Sequence, residues 1–241
     1  MKIIAHRGHS SVAPENTLAA FEQVPGVAAG VEFDVQLTAD RVPVVIHDER
    51  LERTTNGAGP VKDHTWAQLR ALDAGRWFGA EFAGQRIPRL TEVLEYFRGL
   101  PLALHVELKT NLVPYPGLVQ AVVGEISRLN MGAQVVVSSF NHVTLREVKV
   151  VAPELTCAAL LSDQLFEPWK YARQCGFDAL HVHHTVVDEQ FMAGCKRAGL
   201  PVRAYTVDDA ELAGRLAALE VDAVFTNRPL RIAAPHAAAR L

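Results

Sequence analysis

Cysteine is scarce in this 241-residue chain: Cys157, Cys175 and Cys195 stand far apart and form no C-x-x-C pair. That spacing excludes a disulfide framework and a zinc knuckle, and buried free thiols are the expectation. No cysteine is framed as a nucleophile either. Basic runs are also missing, with 24 Lys+Arg against 27 Asp+Glu and a net charge of −3, so a nucleic-acid partner has no electrostatic footprint. There is no apolar stretch of about 20 residues, and stable membrane insertion is not expected. Met1-Lys2 runs straight into Ile3-Ile4-Ala5-His6, leaving no room for a signal peptide, so a cytoplasmic location is expected. No low-complexity linker divides the chain, and nothing in it specifies an oligomer.

Against those absences stands 49% hydrophobic residues, ample for a core. Short β-type segments alternate with helical ones, the pattern of βα units around a parallel sheet. Strands are expected at Ile3–His6, Val31–Leu37, Leu102–Leu108, Val135–Ser138, Leu155–Leu161, Ala179–His183, Val202–Thr206 and Ala223–Thr226. Eight such units predict a TIM-like (β/α)8 barrel, one domain over residues 1–241. The first helix is expected to be capped by Asn16 and to end at Pro25-Gly26, the last to be short, near Leu230–Ile232, before an alanine-rich tail that frays. Val42–His47 reads as an antiparallel return arm on the second strand, placing His47 opposite Asp34. Residues 49–89, with Trp66 and Trp77 among them, are too long for a structureless loop and read as a small inserted subdomain over the barrel mouth. Trp77 and Phe78 belong either to the entrance or to the insert's own core.

In such a barrel the site lies at the C-terminal strand ends, and these are polar here. The first strand ends His6-Arg7-Gly8, the second alternates to place Glu32, Asp34 and Gln36 on one face, and the third places His105, Glu107 and Lys109 on one face. Glu32, Asp34 and Glu107 are hard oxygen donors suited to Mg2+ or Ca2+. The plainer alternative is a buried ion network with Arg7 and Lys109 as counterions. His6 and His47, from different strands, suit a proton donor and acceptor pair, and Arg7 and Lys109 suit phosphate. His181, His183 and His184 read as structural or pocket-lining, and His105 as a hydrogen-bonded core residue one layer below Glu107.

Taken in order, His6-Arg7-Gly8, Pro14-Glu15-Asn16-Thr17, Glu32-x-Asp34, His47-Asp48, Arg53-Thr54-Thr55-x-Gly57 and Glu107-x-Lys109 resemble the glycerophosphodiester phosphodiesterase family. Ser138-Ser139-Phe140, Tyr205-Thr206-Val207 and Phe225-Thr226-Asn227-Arg228-Pro229 are similar to its later strand-end motifs. The resemblance implies a metal-dependent hydrolase releasing an alcohol and glycerol 3-phosphate from a small-molecule glycerophosphodiester. It implies metal binding by Glu32, Asp34 and Glu107, acid/base roles for His6 and His47, and substrate binding by Arg7, Lys109 and Tyr205. Glu15 is implied as a support or an added ligand. A lysophospholipase D-like activity and a non-catalytic glycerophosphodiester-binding barrel are the alternatives. Two departures stand out, Tyr205-Thr206-Val207-Asp208 where many relatives read Trp-Thr-Val-Asn and Thr226-Asn227-Arg228-Pro229 where many read Thr-Asp-x-Pro, and neither is expected to touch the metal or proton-transfer residues.

Overall fold

The computed structural model describes residues 1–238, with side chains through residue 233. Among the described residues nine strands form, β1 (Lys2–His6), β2 (Gly30–Leu37), β3 (Pro43–Val45), β4 (Ala103–Leu108), β5 (Val135–Ser139), β6 (Thr156–Leu161), β7 (Ala179–His183), β8 (Val202–Tyr205) and β9 (Ala223–Thr226). All but β3 pair in parallel, and β1 bonds both β9 and β2, which closes an eight-stranded barrel. The strand alternation explains the two layers. Val31, Phe33, Val35 and Leu37 of β2 pack outward into the main core, while the polar residues between them face the barrel interior. Phe33 meets Phe21 edge-on at 5.7 Å, and Phe21 meets Phe97 in the same way, so aromatic packing joins β2 to its flanking helices.

The helices are α1 (Leu18–Phe21), α2 (Trp66–Leu69), α3 (Leu90–Phe97), α4 (Leu118–Arg128), α5 (His142–Val151), α6 (Pro168–Gln174), α7 (Glu189–Arg197), α8 (Ala210–Ala218) and α9 (Pro229–Ala238). Asn141, Asp188 and Asp209 cap α5, α7 and α8 through side-chain bonds to backbone N–H groups. Helix α1 is a single turn capped by Thr17, not the longer helix capped by Asn16 that the sequence suggests. The reason is local: Asn16 adopts φ 57°, outside helical geometry, and its side chain is spent on β2. Helix α9 is longer than Leu230–Ile232, and the fraying expected of the tail beyond it lies outside the described residues. Cys157 and Cys195 are buried and Cys175 half-buried, all three as free thiols.

The return arm differs from expectation by one residue. Val45 pairs with Val35 and Pro43 with Leu37, so Ile46, whose N–H bonds the Asp34 carbonyl at 3.0 Å, takes the place opposite Asp34. The turn is responsible: it runs Thr38 to Val42, closed by Thr38 N–H on the Val42 carbonyl, with Arg41 at φ 64°. His47 is therefore just past the paired strand. Within residues 49–89 the chain folds α2 and two short 3-10 turns about a separate apolar cluster, in which Leu51, Val61, Leu69, Ala74 and Ile87 pack with Val44 and Ile46 of the return arm. Trp77 and Phe78 pack on each other there, so they belong to the insert and not to the cavity wall described below.

Candidate active site

Strand β1 delivers His6 at its last position, and the chain then turns sharply through Arg7 at φ 56° and Gly8 at φ 80°. A Cβ on Gly8 would lie 2.8 Å from the Ala20 backbone, so the turn needs glycine there. This turn aims the Arg7 N–H at Glu32 Oε2, 3.0 Å away. The Arg7 side chain bonds Glu15 at 2.9 Å and places Nε 3.4 Å from Asp34 Oδ2. That Nε is buried without a hydrogen-bond partner among the described residues. Asn16 donates to the other side of the cluster, from Nδ2 to Asp34 Oδ2 at 2.9 Å.

Pairing of β2 with β4 sets Asp34 beside Glu107 and Glu32 beside His105. The carboxylates of Glu32, Asp34 and Glu107 come within 4.8 Å of one another, and they are the metal-type cluster found among the described residues. At that spacing two carboxylates repel by roughly 3 kcal/mol even at an effective dielectric of about 20. The electrostatics of the cluster reflect that repulsion. Burial, then Asp34 and Glu107, push Glu32 well above the usual carboxylate range, and burial, then Asp34, push Glu107 to about 7. Burial also opposes Asp34 ionisation, but Arg7, His47 and Lys109 overcome it and hold Asp34 at about 2. Lys109 Nζ lies 3.1 Å from Glu107 and 3.8 Å from Asp34. Three carboxylates thus share two fixed cations, Arg7 and Lys109, and Arg7 is divided with Glu15.

The donor set passes a size test for a divalent cation. Two oxygens on one ion are separated by at most twice the metal–oxygen distance, about 4.2 Å for Mg2+ and about 5 Å for Ca2+. The 4.8 Å bound on the observed separations lies inside the limit for Ca2+ and a little outside that for Mg2+, so a small inward movement of the carboxylates would bring all three onto one ion. A cation held there would have to displace protons from Glu32 and Glu107, so its apparent affinity is expected to rise with pH. With Glu107 near 7, going from pH 6 to pH 8 is expected to tighten binding by about tenfold from that residue alone. Calorimetric titration of the chelator-treated protein with Mg2+ or Ca2+ checks this, and a pH-independent affinity would contradict it.

Each histidine is anchored through Nδ1. His47 Nδ1 meets Asp48 at 2.6 Å, Asp48 is gripped by Arg53, and His47 Nε2 lies 3.2 Å from Lys109 Nζ. Gln36 fixes this arm, its Nε2 lying 2.8–3.0 Å from the carbonyls of Ile46, His47 and Asp48 while Tyr115 donates to its Oε1. His6 Nδ1 meets Asn227 Oδ1 at 2.7 Å, and its Nε2 lies 3.8 Å from Glu32. Burial, then Arg7, lower His6 to about 4. One expectation is corrected here: Asn227 does touch a proton-transfer candidate, and Asp208 in turn accepts from Asn227 at 2.7 Å, so the two departures sit against each other.

His6, Arg7, Glu32, His47, Glu107, Lys109 and Tyr205 line a single cavity of about 250 Å³, with Phe140, Leu160 and Phe225 as its apolar wall. Tyr205 donates to the Leu161 carbonyl at 3.0 Å. Asp34 lies just beneath, 1% exposed. Glu15 is held between Arg7 and Arg53, apart from the three-carboxylate cluster. His181 lines the cavity and lies near His105, and His105 Nδ1, expected to be hydrogen-bonded, has no partner among the described residues. His183 bonds Thr185. Sequence reading missed Asn16, Gln36, Arg53, Asp208 and Asn227 as parts of the site. Asn16, Arg53 and Asn227 lay inside the family-like motifs and Asp208 stood out as a departure from one, while only Gln36 carried a periodic signal, as the third polar residue on the β2 face.

Comparison with known proteins agrees with this geometry. The sequence profile of the glycerophosphoryl diester phosphodiesterase family matches residues 6–231. A glycerophosphodiester phosphodiesterase of Caldanaerobacter subterraneus subsp. tengcongensis is 42% identical over 228 residues, 94% of each chain. Among solved structures, an Oleispira antarctica phosphodiesterase in complex with the product sn-glycerol-3-phosphate superposes with a TM-score of 0.91 at 33% identity, covering 98% of this chain and 97% of the other. A glycerophosphodiester phosphodiesterase from Agrobacterium tumefaciens gives a TM-score of 0.85 at 31% identity over 97% and 99% of the two chains. With a barrel of that architecture and a profile match over nearly its whole length, the chain belongs to the glycerophosphoryl diester phosphodiesterase family.

Proposed function

We propose that the chain hydrolyses glycerophosphodiesters to an alcohol and glycerol 3-phosphate, using a divalent cation held by Glu32, Asp34 and Glu107 and proton transfer at His6 and His47. One observation carries the reading: three mutually repelling carboxylates, two histidines anchored at Nδ1 and two fixed cations converge on one small cavity. The cation, when bound, relieves the carboxylates and polarises the phosphoryl oxygens. Arg7 and Lys109 supply further positive charge beside the phosphate. Since Nδ1 of each histidine is tied to an acceptor, Nε2 is the atom that exchanges protons in both. One histidine takes the proton of the attacking hydroxyl and the other returns a proton to the leaving alkoxide. Tyr205 and the apolar wall bound the space for the alcohol group.

We read residues 1–241 as one barrel domain and residues 49–89 as a subdomain over its mouth. The ion pairs of Arg53 with Glu15 and Asp48 support this, because they fasten the insert to residues beside Arg7 and His47. The cavity volume favours a glycerophosphodiester with a small alcohol group, since about 250 Å³ is below the roughly 300–1,000 Å³ of pockets for larger ligands. Phosphorus NMR of glycerophosphocholine turnover is expected to show glycerol 3-phosphate rising as the diester falls. Phosphocholine as product would place the broken bond on the other side of phosphorus and contradict the proposal.

A second reading, a lysophospholipid substrate, draws on an apolar rim that sequence inspection did not find. Leu112, Val143 and Phe166, from the segments that follow β4, β5 and β6, are 72%, 78% and 92% exposed. Phe140 lines both the cavity and a surface groove that includes Val143, which gives an acyl chain an apolar way out on this side. Under that reading Phe166→Asp lowers kcat/KM several-fold for lysophosphatidylcholine and leaves glycerophosphocholine unchanged. Equal effects on both substrates would reject it.

A further inference from the structure

The proton-transfer role of His6 depends on which ring nitrogen carries hydrogen in the neutral imidazole, and two residues outside the cavity wall, Asn227 and Asp208, decide that. Asn227 Oδ1 lies 2.7 Å from His6 Nδ1, and the Asn227 amide nitrogen lies 2.7 Å from Asp208 Oδ2. A carboxamide can turn over and exchange its oxygen for its nitrogen, so its orientation must be set by a group that is unambiguous. Asp208 is such a group. Its Oδ1 accepts from the Thr226 hydroxyl at 2.9 Å and from the Asn227 backbone N–H at 2.8 Å, and its Oδ2 faces the Asn227 amide.

An ionised carboxylate only accepts, so Asn227 must present its NH2 to Asp208 and its oxygen to His6. The Ser10 hydroxyl lies 2.8 Å from the same oxygen, as it also does from the His6 carbonyl. An amide oxygen likewise only accepts, so His6 must carry its hydrogen on Nδ1. Neutral His6 then has its lone pair on Nε2, the side where Glu32 lies 3.8 Å away and the cavity opens. The three groups come from β1 and from the segments after β8 and β9, which are neighbours in the barrel order β8–β9–β1.

We propose that Asp208 is a positioning residue: by fixing the orientation of the Asn227 amide it holds His6 with hydrogen on Nδ1 and Nε2 directed to the phosphodiester. This deepens the proposed function and rests on the proton-transfer role of His6. Replacing the carboxylate by an isosteric amide, Asp208→Asn, keeps acceptors for Thr226 and the Asn227 N–H but turns an NH2 toward Asn227. The Asn227 amide then has to turn over, give its oxygen to the new amide and present NH2 to His6 Nδ1. That selects the other tautomer. The exchange variant Asp208→Asn/Asn227→Asp restores the pattern, because the carboxylate now at position 227 accepts from the amide now at position 208 on one oxygen and from His6 Nδ1–H on the other.

The test is kcat, KM and nitrogen NMR of the imidazole for the wild type, Asp208→Asn and the exchange variant. The expected result is the Nδ1–H tautomer for His6 in the wild type, a kcat loss on the order of 10²-fold in Asp208→Asn with KM within about threefold, and recovery to within about tenfold of wild type in the exchange variant. A packing role alone would not produce rescue by exchange. Wild-type kcat in Asp208→Asn, or an exchange variant that folds and keeps the Nδ1–H tautomer yet stays as impaired as Asp208→Asn, would overturn the proposal, as would Nε2–H in the wild type. If the wild type turns over no glycerophosphodiester, it is the proposed function that fails, and the NMR tautomers of wild type and Asp208→Asn still decide whether Asp208 positions His6.

Discussion

His6→Ala and His47→Ala are each expected to lower kcat on glycerophosphocholine by about 10²–10⁴-fold, the span that a positioned acid or base contributes. Neither side chain organises a core. His6 sits at the end of β1, whose pairing with β2 and β9 is made by backbone atoms, and losing its ring leaves Asn227 still bonded to Ser10 and Asp208. His47 lies beyond the paired part of β3, and in its absence Asp48 keeps both bonds to Arg53. Thermal midpoints within a few degrees of wild type are therefore expected, together with small changes in KM, because under the proposed function phosphate is met by Arg7, Lys109 and the cation. Steady-state kinetics beside a melting curve checks both parts. A variant that retains more than a tenth of wild-type kcat would remove its histidine from proton transfer.

Glu107→Gln is expected to weaken the divalent cation by two or more orders of magnitude and to abolish most of its thermal protection, with activity recovered only at high metal concentration. Charge is the reason. Glu107 is one of three oxygen donors, and its displacement to about 7 by burial and Asp34 marks a carboxylate that needs a positive neighbour. Lys109 answers part of that need at 3.1 Å, but it serves Asp34 as well. A neutral amide removes the repulsion and one charge of the ligand set together, so the chelator-treated variant is expected to melt no lower than the chelator-treated wild type. Differential scanning fluorimetry against metal concentration gives both quantities. An unchanged metal titration would reject Glu107 as a ligand.

Much of the barrel is legible along the chain because βα units are local. Outward residues such as Val31, Phe33 and Val35 alternate with Glu32 and Asp34, and several helices start at a capping residue such as Asn141, Asp188 or Asp209. The carboxylate cluster is legible for the same reason: polar residues at alternate positions in otherwise apolar strands have few physical explanations. What escapes is fixed by turns and by closure. The register of β3 depends on a five-residue turn with Arg41 in a left-handed conformation, and a one-residue shift sends His47 past the strand end. Asn16 looks like a cap because Asn caps many helices, yet the left-handed backbone diverts it to Asp34. The bond from His6 to Asn227 joins the two ends of the barrel across 221 residues, and no periodicity foretells a contact of that kind.

Whether the cavity is a metal-dependent phosphodiesterase site is decided by release of glycerol 3-phosphate from glycerophosphocholine and glycerophosphoethanolamine, measured in chelator and again after addition of Mg2+ or Ca2+. Barrel geometry, ligand set and histidine pair together predict no turnover in chelator and restored release with at least one of the two ions. Undiminished release in chelator, or none with either ion from folded protein, would contradict that assignment.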